Sequence, residues 1–263
     1  MSAITSAGSS IRSSLPWGRA RRGWYQVLEG ASPATFCAWN RRFPERTVVD
    51  RSTDLVIEGY PSAANSLARE ILYRTTPGIR IASHLHSPAH VRRAVDLGVP
   101  TLVLLRPPVE SVASLLARYP ERRLRPASEL ARYQRFYSAV LRMSEAVVLA
   151  RFEDTVGSFA SVIELVNDRF GTAFGTFDQS DGAFVEEVFA TLDYWSEKVS
   201  GDRFEVVTPR PSAARAEAVA AARHVVEGQG GRSRLARCRA LHDRLAAIAA
   251  IRRDARGEDP AAA

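Results

Sequence analysis

Lysine is almost missing from this chain: Lys198 is the single example, and the rest of the 36 basic residues are arginine. An arginine-rich, alanine-rich, lysine-poor composition also follows from GC-rich coding, so the count alone assigns no function to any one arginine. Cysteine is scarce too. Cys37 and Cys238 lie far apart and in no metal or redox spacing. That excludes a disulfide scaffold and a cysteine zinc site, and a reduced cytoplasmic chain is the simplest reading. No long hydrophobic run exists. Stretches such as Val99 to Leu105 are far too short to span a bilayer. No stripe of basic residues interleaved with aromatics favours nucleic acid. The formal charge of +7 therefore suits an anionic ligand or partner without naming one.

What is present fits an ordinary globular domain. The chain has 263 residues, 46% hydrophobic and 25% charged, enough for one large domain or two small ones. No acidic residue precedes Glu29, and Arg19, Arg21 and Arg22 cluster between Trp17 and Trp24. The apolar core of a secretory signal is lacking there. Residues 1–35 read as a basic mobile arm, with a transit peptide as the other reading of the same composition. Residues 36–255 read as a single domain, and 256–263 as a disordered tail.

From residue 54 onward, strands and helices alternate. "DLVIEG", "GIRIAS", "PTLVLLR" and "AVVLAR" read as four short apolar strands. Helices are expected at 65–74, from Ser87-Pro88 to Gly98, at 109–118 before Pro120, from Ser128-Glu129 to about Met143, and at 159–170 before Gly171. The region 181–253 reads as helical, with breaks near "VTPRPS" and "GQGG". Apolar, non-alternating strands between helices imply an α/β fold of three layers, with a mostly parallel sheet covered on both faces and a helical C-terminal part.

The stretch "GYPSAANS", Gly59 to Ser66, follows the first strand and opens a helix. Backbone N–H groups at such a point attract phosphate. The nucleotide-hydrolase pattern GxxxxGK[ST] is matched only at its first glycine and last hydroxyl. Taken alone, the stretch reads as a plain strand-to-helix turn capped by Asn65 or Ser66. A second stretch, "RPPVESVAS", puts Arg106 at a strand end and Ser114 eight residues later on the next helix.

Together these resemble the two nucleotide-binding elements of the sulfotransferase family, whose donor is 3′-phosphoadenosine 5′-phosphosulfate (PAPS). Tyr60, Pro61, Asn65 and Ser66 match the bacterial form GYPRSGNS. Arg106, Pro108 and Ser114 match R-[DN]-P followed by a serine, with Pro107 in place of Asp or Asn. "SHLHSP" resembles the stretch that carries the family's catalytic histidine. His84 aligns with it, 22 residues before Arg106, and His86 is a close rival. The bland reading is a surface histidine near a helix cap. "TPRPSAAR" resembles a late basic segment in which Arg210 and Arg215 close over the 3′-phosphate; a solvated basic helix start reads equally well. Glu153 and Asp154 read as structural acids at a helix start. Residues 118–137 border the acceptor or form an exposed helix with aromatics in the core.

The resemblance spans about 54–240 and implies a P-loop-like topology. It further implies a donor site built from Pro61, Ser62, Ala63, Ala64, Asn65 and Ser66, with Arg106 and Ser114 on the 3′-phosphate. His84 or His86 would act as general base on a small-molecule or carbohydrate hydroxyl or amine, with PAPS as co-substrate and no metal. The departures are specific. Ser62 stands where the donor loop carries lysine or arginine, and Ala82 where the family has a second lysine. Arg69, Arg80 and Arg92 are candidates to supply the missing charge. A non-catalytic relative that binds a nucleotide or sulfated ligand is the alternative. A small-molecule kinase is disfavoured, because Arg106 stands where a magnesium-holding Asp is needed.

Overall fold

A computed structural model describes residues 32–178, 180–200 and 204–254. The expected basic arm, apart from its last few residues, and the expected tail lie outside the described residues. Helix α1, Pro33–Asn40, precedes the region where the sequence shows clear alternation. Ser32 caps it by accepting from the Thr35 N–H, and Pro33 supplies the first-turn proline. Phe36 and Cys37 are fully buried, whereas the first turn of the helix, Pro33 to Thr35, is not.

Four strands follow: β1 Leu55–Gly59, β2 Ile81–Ser83, β3 Thr101–Leu105 and β4 Val148–Arg151. All pair in parallel, in the order β2-β1-β3-β4. β1, β2 and β3 are buried along their whole length. Side chains of β3 divide alternately between two cores. Leu102 and Leu104 join Leu55 and Ile57 on one face, and Val103 and Leu105 join a tyrosine-rich core on the other. That period of two is what a sheet packed on both faces requires.

The connecting helices are α2 Asn65–Thr75, α3 Pro88–Leu97, α4 Pro108–Arg118 and α5 Pro126–Arg142. Ser87 caps α3 by accepting from the Ala89 N–H, and Gly98 closes it in the left-handed conformation. α5 starts at Pro126, earlier than Ser128. Proline's missing N–H costs nothing in a first turn, so it outranks a serine as a start signal. After β4 come α6 Phe152–Gly157 and α7 Phe159–Phe170, then α8 Gly182–Ser200, α9 Phe204–Val207, α10 Ala213–Gln229 and α11 Arg232–Asp254. Glu153 and Asp154 lie in the first turn of α6, and Asp154 takes both ends of the Arg151 fork at 2.8 Å. α10 packs along α4, and α11 along α5, with Leu235, Cys238, Leu245 and Ala249 in the tyrosine-rich core. Both cysteines are free and buried. Among the described residues, no helix is long and apolar enough to cross a membrane.

Gly59 is the one glycine whose space the fold uses at the end of β1. A Cβ there would lie 2.8 Å from the Leu104 carbonyl oxygen and 3.2 Å from Asn65 Oδ1. Gly59→Ala must push β1 from β3 or displace the loop after it. We expect a loss of about 1–3 kcal/mol in urea unfolding, with the fold retained.

Candidate functional site

The chain leaves β1 through Tyr60-Pro61-Ser62-Ala63-Ala64 and enters α2 at Asn65. Ser62 and Ala64 both hold φ near 70°, in the left-handed region. Ala64 is the N-cap and gives no side-chain cap, so neither Asn65 nor Ser66 caps this helix. The Ala63 N–H closes a turn onto the Tyr60 carbonyl at 3.2 Å. Among the described residues the N–H groups of Ser62, Ala64, Asn65 and Ser66 have no acceptor. Open amides at a helix start, with left-handed residues just before it, form a cradle for an oxyanion. Asn65 Oδ1 is buried there without a donor, while its Nδ2 reaches the Tyr60 carbonyl at 3.4 Å.

Tyrosines from α5 hold this loop from behind. Tyr137 accepts from the Tyr60 N–H at 3.2 Å and donates to the Leu104 carbonyl at 2.7 Å. Tyr133 donates to the Arg106 carbonyl at 2.8 Å, and the Tyr60 hydroxyl donates to Glu129 at 2.8 Å. Tyr133, Phe136 and Tyr137 are thus in the core, and Tyr133 and Tyr137 set the positions of both site loops.

The loop after β2 carries the histidines. His84 and His86 have φ of 66° and 49°. With Ser62 and Ala64 they are four of the five non-glycine residues at positive φ among the described residues. Each such residue costs about 1–2 kcal/mol, and such strain collects at functional sites. Glu58, fully buried on β1, holds the loop in shape. Its Oε1 accepts from the Leu85 N–H at 2.9 Å and from His90 Nδ1 at 2.8 Å, and its Oε2 from the His86 N–H at 2.9 Å. The other ring nitrogen of His90 accepts from the Val49 N–H at 2.9 Å, which puts its proton on Nδ1.

The two histidines differ in freedom. His84 has both nitrogens engaged, Nε2 with Ser66 Oγ at 3.0 Å and Nδ1 with Ser83 Oγ at 2.8 Å. His86 donates from Nδ1 to the Gly59 carbonyl at 2.7 Å, and its Nε2 has no partner among the described residues. A neutral His86 therefore presents an Nε2 lone pair. The rings stand edge to face with centroids 5.7 Å apart.

Burial pushes both histidines below the ordinary 6.5. At His84 the charges of His86, Arg69 and Arg118 add to that depression; at His86 Glu58 opposes it, and Arg132 and Arg118 reinforce it. The unfolded chain, titrating near 6.5, binds more protons than the folded one in this window. The stability these groups contribute is complete above that value and is lost as pH falls through the folded pKa values. The urea midpoint should therefore drop as pH is lowered from neutral to about 5, and drop less in His84→Gln. A midpoint constant over that range in the wild type would contradict the burial.

Arg106 ends β3 and turns back to the first loop, donating from Nη1 to the Ser62 carbonyl at 2.7 Å. Its guanidinium stacks over Phe152 at 4.2 Å. Ser114 on α4 meets Arg215 on α10, whose Nη2 donates to Ser114 Oγ at 2.9 Å. Arg215 is pushed down to about 10, first by burial and then by Arg118 and Arg106. A cluster of partly desolvated like charges is costly, and an anion placed among them would lower that cost. Arg210 does not join it. Its guanidinium forks onto Glu186 at 2.8 Å and Asp193 at 2.6 Å, a stronger claim than any open site makes. Arg80 pairs with Asp54, and Arg92 with Asp96, both on exposed surface. Of the three arginines named from the sequence, only Arg69 reaches the field of His84, and Arg118 joins it.

Glu58 and His90 belong to this site and no motif pointed to them, while Arg118 and Tyr137 are the two ends of the 118–137 stretch expected to border the acceptor or to pack its aromatics in the core. Glu58 carried one signal, an acid inside an otherwise apolar strand. Arg118 carried another, sitting one helical turn after Ser114. Among the described residues no group of three or more histidine, cysteine or acidic side chains is placed to hold a metal ion. No protein-family model, curated protein or solved structure matches the chain.

Proposed function

We propose that this protein is a sulfotransferase that moves a sulfuryl group from 3′-phosphoadenosine 5′-phosphosulfate to a hydroxyl or amine. The observation that carries the reading is one bond, from Arg106 Nη1 to the Ser62 carbonyl. It ties the open-amide loop after β1 to the Arg106, Ser114 and Arg215 group, so two anion-seeking sets face one ligand. The strand order β2-β1-β3-β4, with the loop leaving the central strand β1, supports a P-loop-like topology. It puts the first loop, the histidine loop and Arg106 at the carboxyl ends of adjacent strands, where open α/β sheets bind ligands.

In this reading the amides of Ser62, Ala64, Asn65 and Ser66 hold the donor's 5′-phosphate. Pro61 and Ala63 shape the turn. Arg106, Ser114 and Arg215 hold the 3′-phosphate, where a fixed guanidinium and a hydroxyl match a phosphate monoester. The acceptor oxygen or nitrogen attacks sulfur, the bond from sulfur to the 5′-phosphate oxygen breaks, and its electron pair leaves with that oxygen. The acceptor's proton goes to His86 Nε2, whose partner Nδ1–H is already fixed on Gly59. His84 keeps Ser66 oriented toward the donor. The displacement as written requires no metal.

The test is binding, then transfer. At a hundredfold excess over Kd, 3′-phosphoadenosine 5′-phosphate should stabilise the fold by about 2.7 kcal/mol, a rise in Tm of about 5 to 11 °C for a chain of this size. ATP with magnesium should not. No shift with the phosphoadenosine nucleotide would sink the reading. Binding without transfer of labelled sulfur to a panel of hydroxyl and amine acceptors would favour a non-catalytic ligand-binding protein, the reading that Ser62 and Ala82 support.

A further inference from the structure

Arg69 lies one turn beyond Ser66 on α2, and Arg118 one turn beyond Ser114 at the end of α4. Each has a buried Nε with no hydrogen-bond partner, and neither has a carboxylate partner among the described residues. The nearest ring contacts are aromatic: Tyr73 at 6.0 Å from the Arg69 guanidinium carbon and Tyr119 at 5.4 Å from that of Arg118. A buried guanidinium nitrogen left without an acceptor is costly and requires a partner such as a water or a bound anion; Arg93 Nε on α3 shares this state, but Arg69 and Arg118 are the two that also act on His84. Two of them beside one histidine loop are not explained by the packing of α2 and α4.

We propose that Arg69 and Arg118 form a second anion clamp, beside the His84 and His86 pair, that takes an anionic group of the acceptor. The acceptor is then a small molecule or saccharide that already bears a carboxylate, sulfate or phosphate. The identification of that anion as the acceptor's rests on the sulfotransferase reading above; the clamp itself does not. The donor's phosphates have their own partners in the open loop amides and in Arg106, Ser114 and Arg215. Arg69 and Arg118 act on the histidines, the side from which the acceptor's proton leaves, and Arg118 also lies in the field of Arg215, so it borders both groups. Arg118 acts on both rings. An anion seated between the two arginines offsets their charge, raises the histidines toward their ordinary range and makes them stronger bases. Binding of the correct acceptor thereby readies the group that deprotonates it, whereas a neutral acceptor leaves the histidines depressed.

The experiment follows the histidine ring signals by NMR across a pH titration, on the full chain loaded with 3′-phosphoadenosine 5′-phosphate. His84 and His86 are assigned from His84→Gln and His86→Gln spectra. Inorganic sulfate is the probe. The expected result is an upward shift of the pKa of His84, and a smaller one of His86, as sulfate is added. The shift should vanish in Arg69→Gln/Arg118→Gln and survive in Arg69→Lys/Arg118→Lys, which keeps charge and helix. No sulfate-dependent shift in the wild type, or an equal shift in the Gln double variant, overturns the clamp. Loading with intact 3′-phosphoadenosine 5′-phosphosulfate separates the two anions. If its sulfuryl group abolishes the response to sulfate, the clamp belongs to the donor and the acceptor assignment is overturned. If the nucleotide itself gives no rise in Tm, the sulfotransferase reading fails, while the sulfate titration of the nucleotide-free chain still decides the clamp.

Discussion

Glu58→Ala is expected to destabilise the fold by about 3–5 kcal/mol, the size expected when one member of a buried, multiply bonded charge network is removed. The carboxylate accepts from two backbone N–H groups and one imidazole with no exposure to solvent. Alanine removes the acceptor of the His86 N–H and of His90 Nδ1 in a dry interior, each with its desolvation cost, and takes the Glu58 bond from the Leu85 N–H. His90 lies in the same network, bridging Glu58 to the Val49 N–H, so the damage reaches the segment between α1 and β1. Glu58→Gln tests the chemistry apart from the volume. One amide oxygen still accepts, but its NH2 faces an N–H donor, so a clear loss in urea unfolding is expected there too. A change under 1 kcal/mol in the alanine variant would show that the histidine loop does not depend on this residue. The left-handed conformations of His84 and His86 should also relax, which makes any loss of ligand binding in these variants a consequence of loop collapse.

The largest effect on activity is expected from His86→Ala, a fall in kcat of about a hundredfold to ten-thousandfold, the usual range for loss of a positioned general base. His86 is the better base on geometry, since its proton is fixed on Nδ1 by Gly59 and its Nε2 is free. Its pKa lies below 6.5, so it is neutral and competent at pH 7. The acid limb of the wild-type profile should therefore lie below that value and disappear in the variant. His84→Ala has a different expected signature. It releases Ser66 and so should raise the KM for the donor more than it lowers kcat. Full loss in His84→Ala with intact activity in His86→Ala would reverse the two roles, and intact activity in both would remove the base from this loop.

On the proposed reading, the loop after β1 presents its amides to an anion with little glycine. Ser62 and Ala64 take positions where the left-handed backbone is strained for any side chain. The strain is borne because the loop is tied at several points. Tyr137 holds the Tyr60 N–H, Arg106 holds the Ser62 carbonyl, and Gly59 gives the room for the loop to approach β3. The direct consequence of Ser62 for charge is that no cation arises from the loop itself, and the arginines that approach the site do so from the end of β3 and from α2, α4 and α10.

By itself the sequence determined the order of strands and helices, the parallel sheet and most helix ends. These follow from local physics: apolar runs too short for anything but buried strands, prolines in first turns, and the left-handed glycines Gly98 and Gly171 at helix ends. It also marked the three stretches that meet at the strand ends, because motif spacing along a strand, turn and helix fixes where side chains emerge. Helix α1 was missed, since a short helix ahead of the first strand has no alternation around it to stand out. Only the tertiary structure decided which arginines matter. With basic residues so numerous, spacing gives each one equal claim to an anion. Pairing then removes Arg210, Arg80 and Arg92, whose carboxylates arrive from residues 24, 26 and 4 positions away. It leaves Arg69, Arg118 and Arg215 facing the site, because among the described residues no acid pairs with them. The same holds for Glu58 and for the choice between two histidines. Each depends on which backbone group lies within 3 Å, a matter of long-range packing that no local pattern encodes.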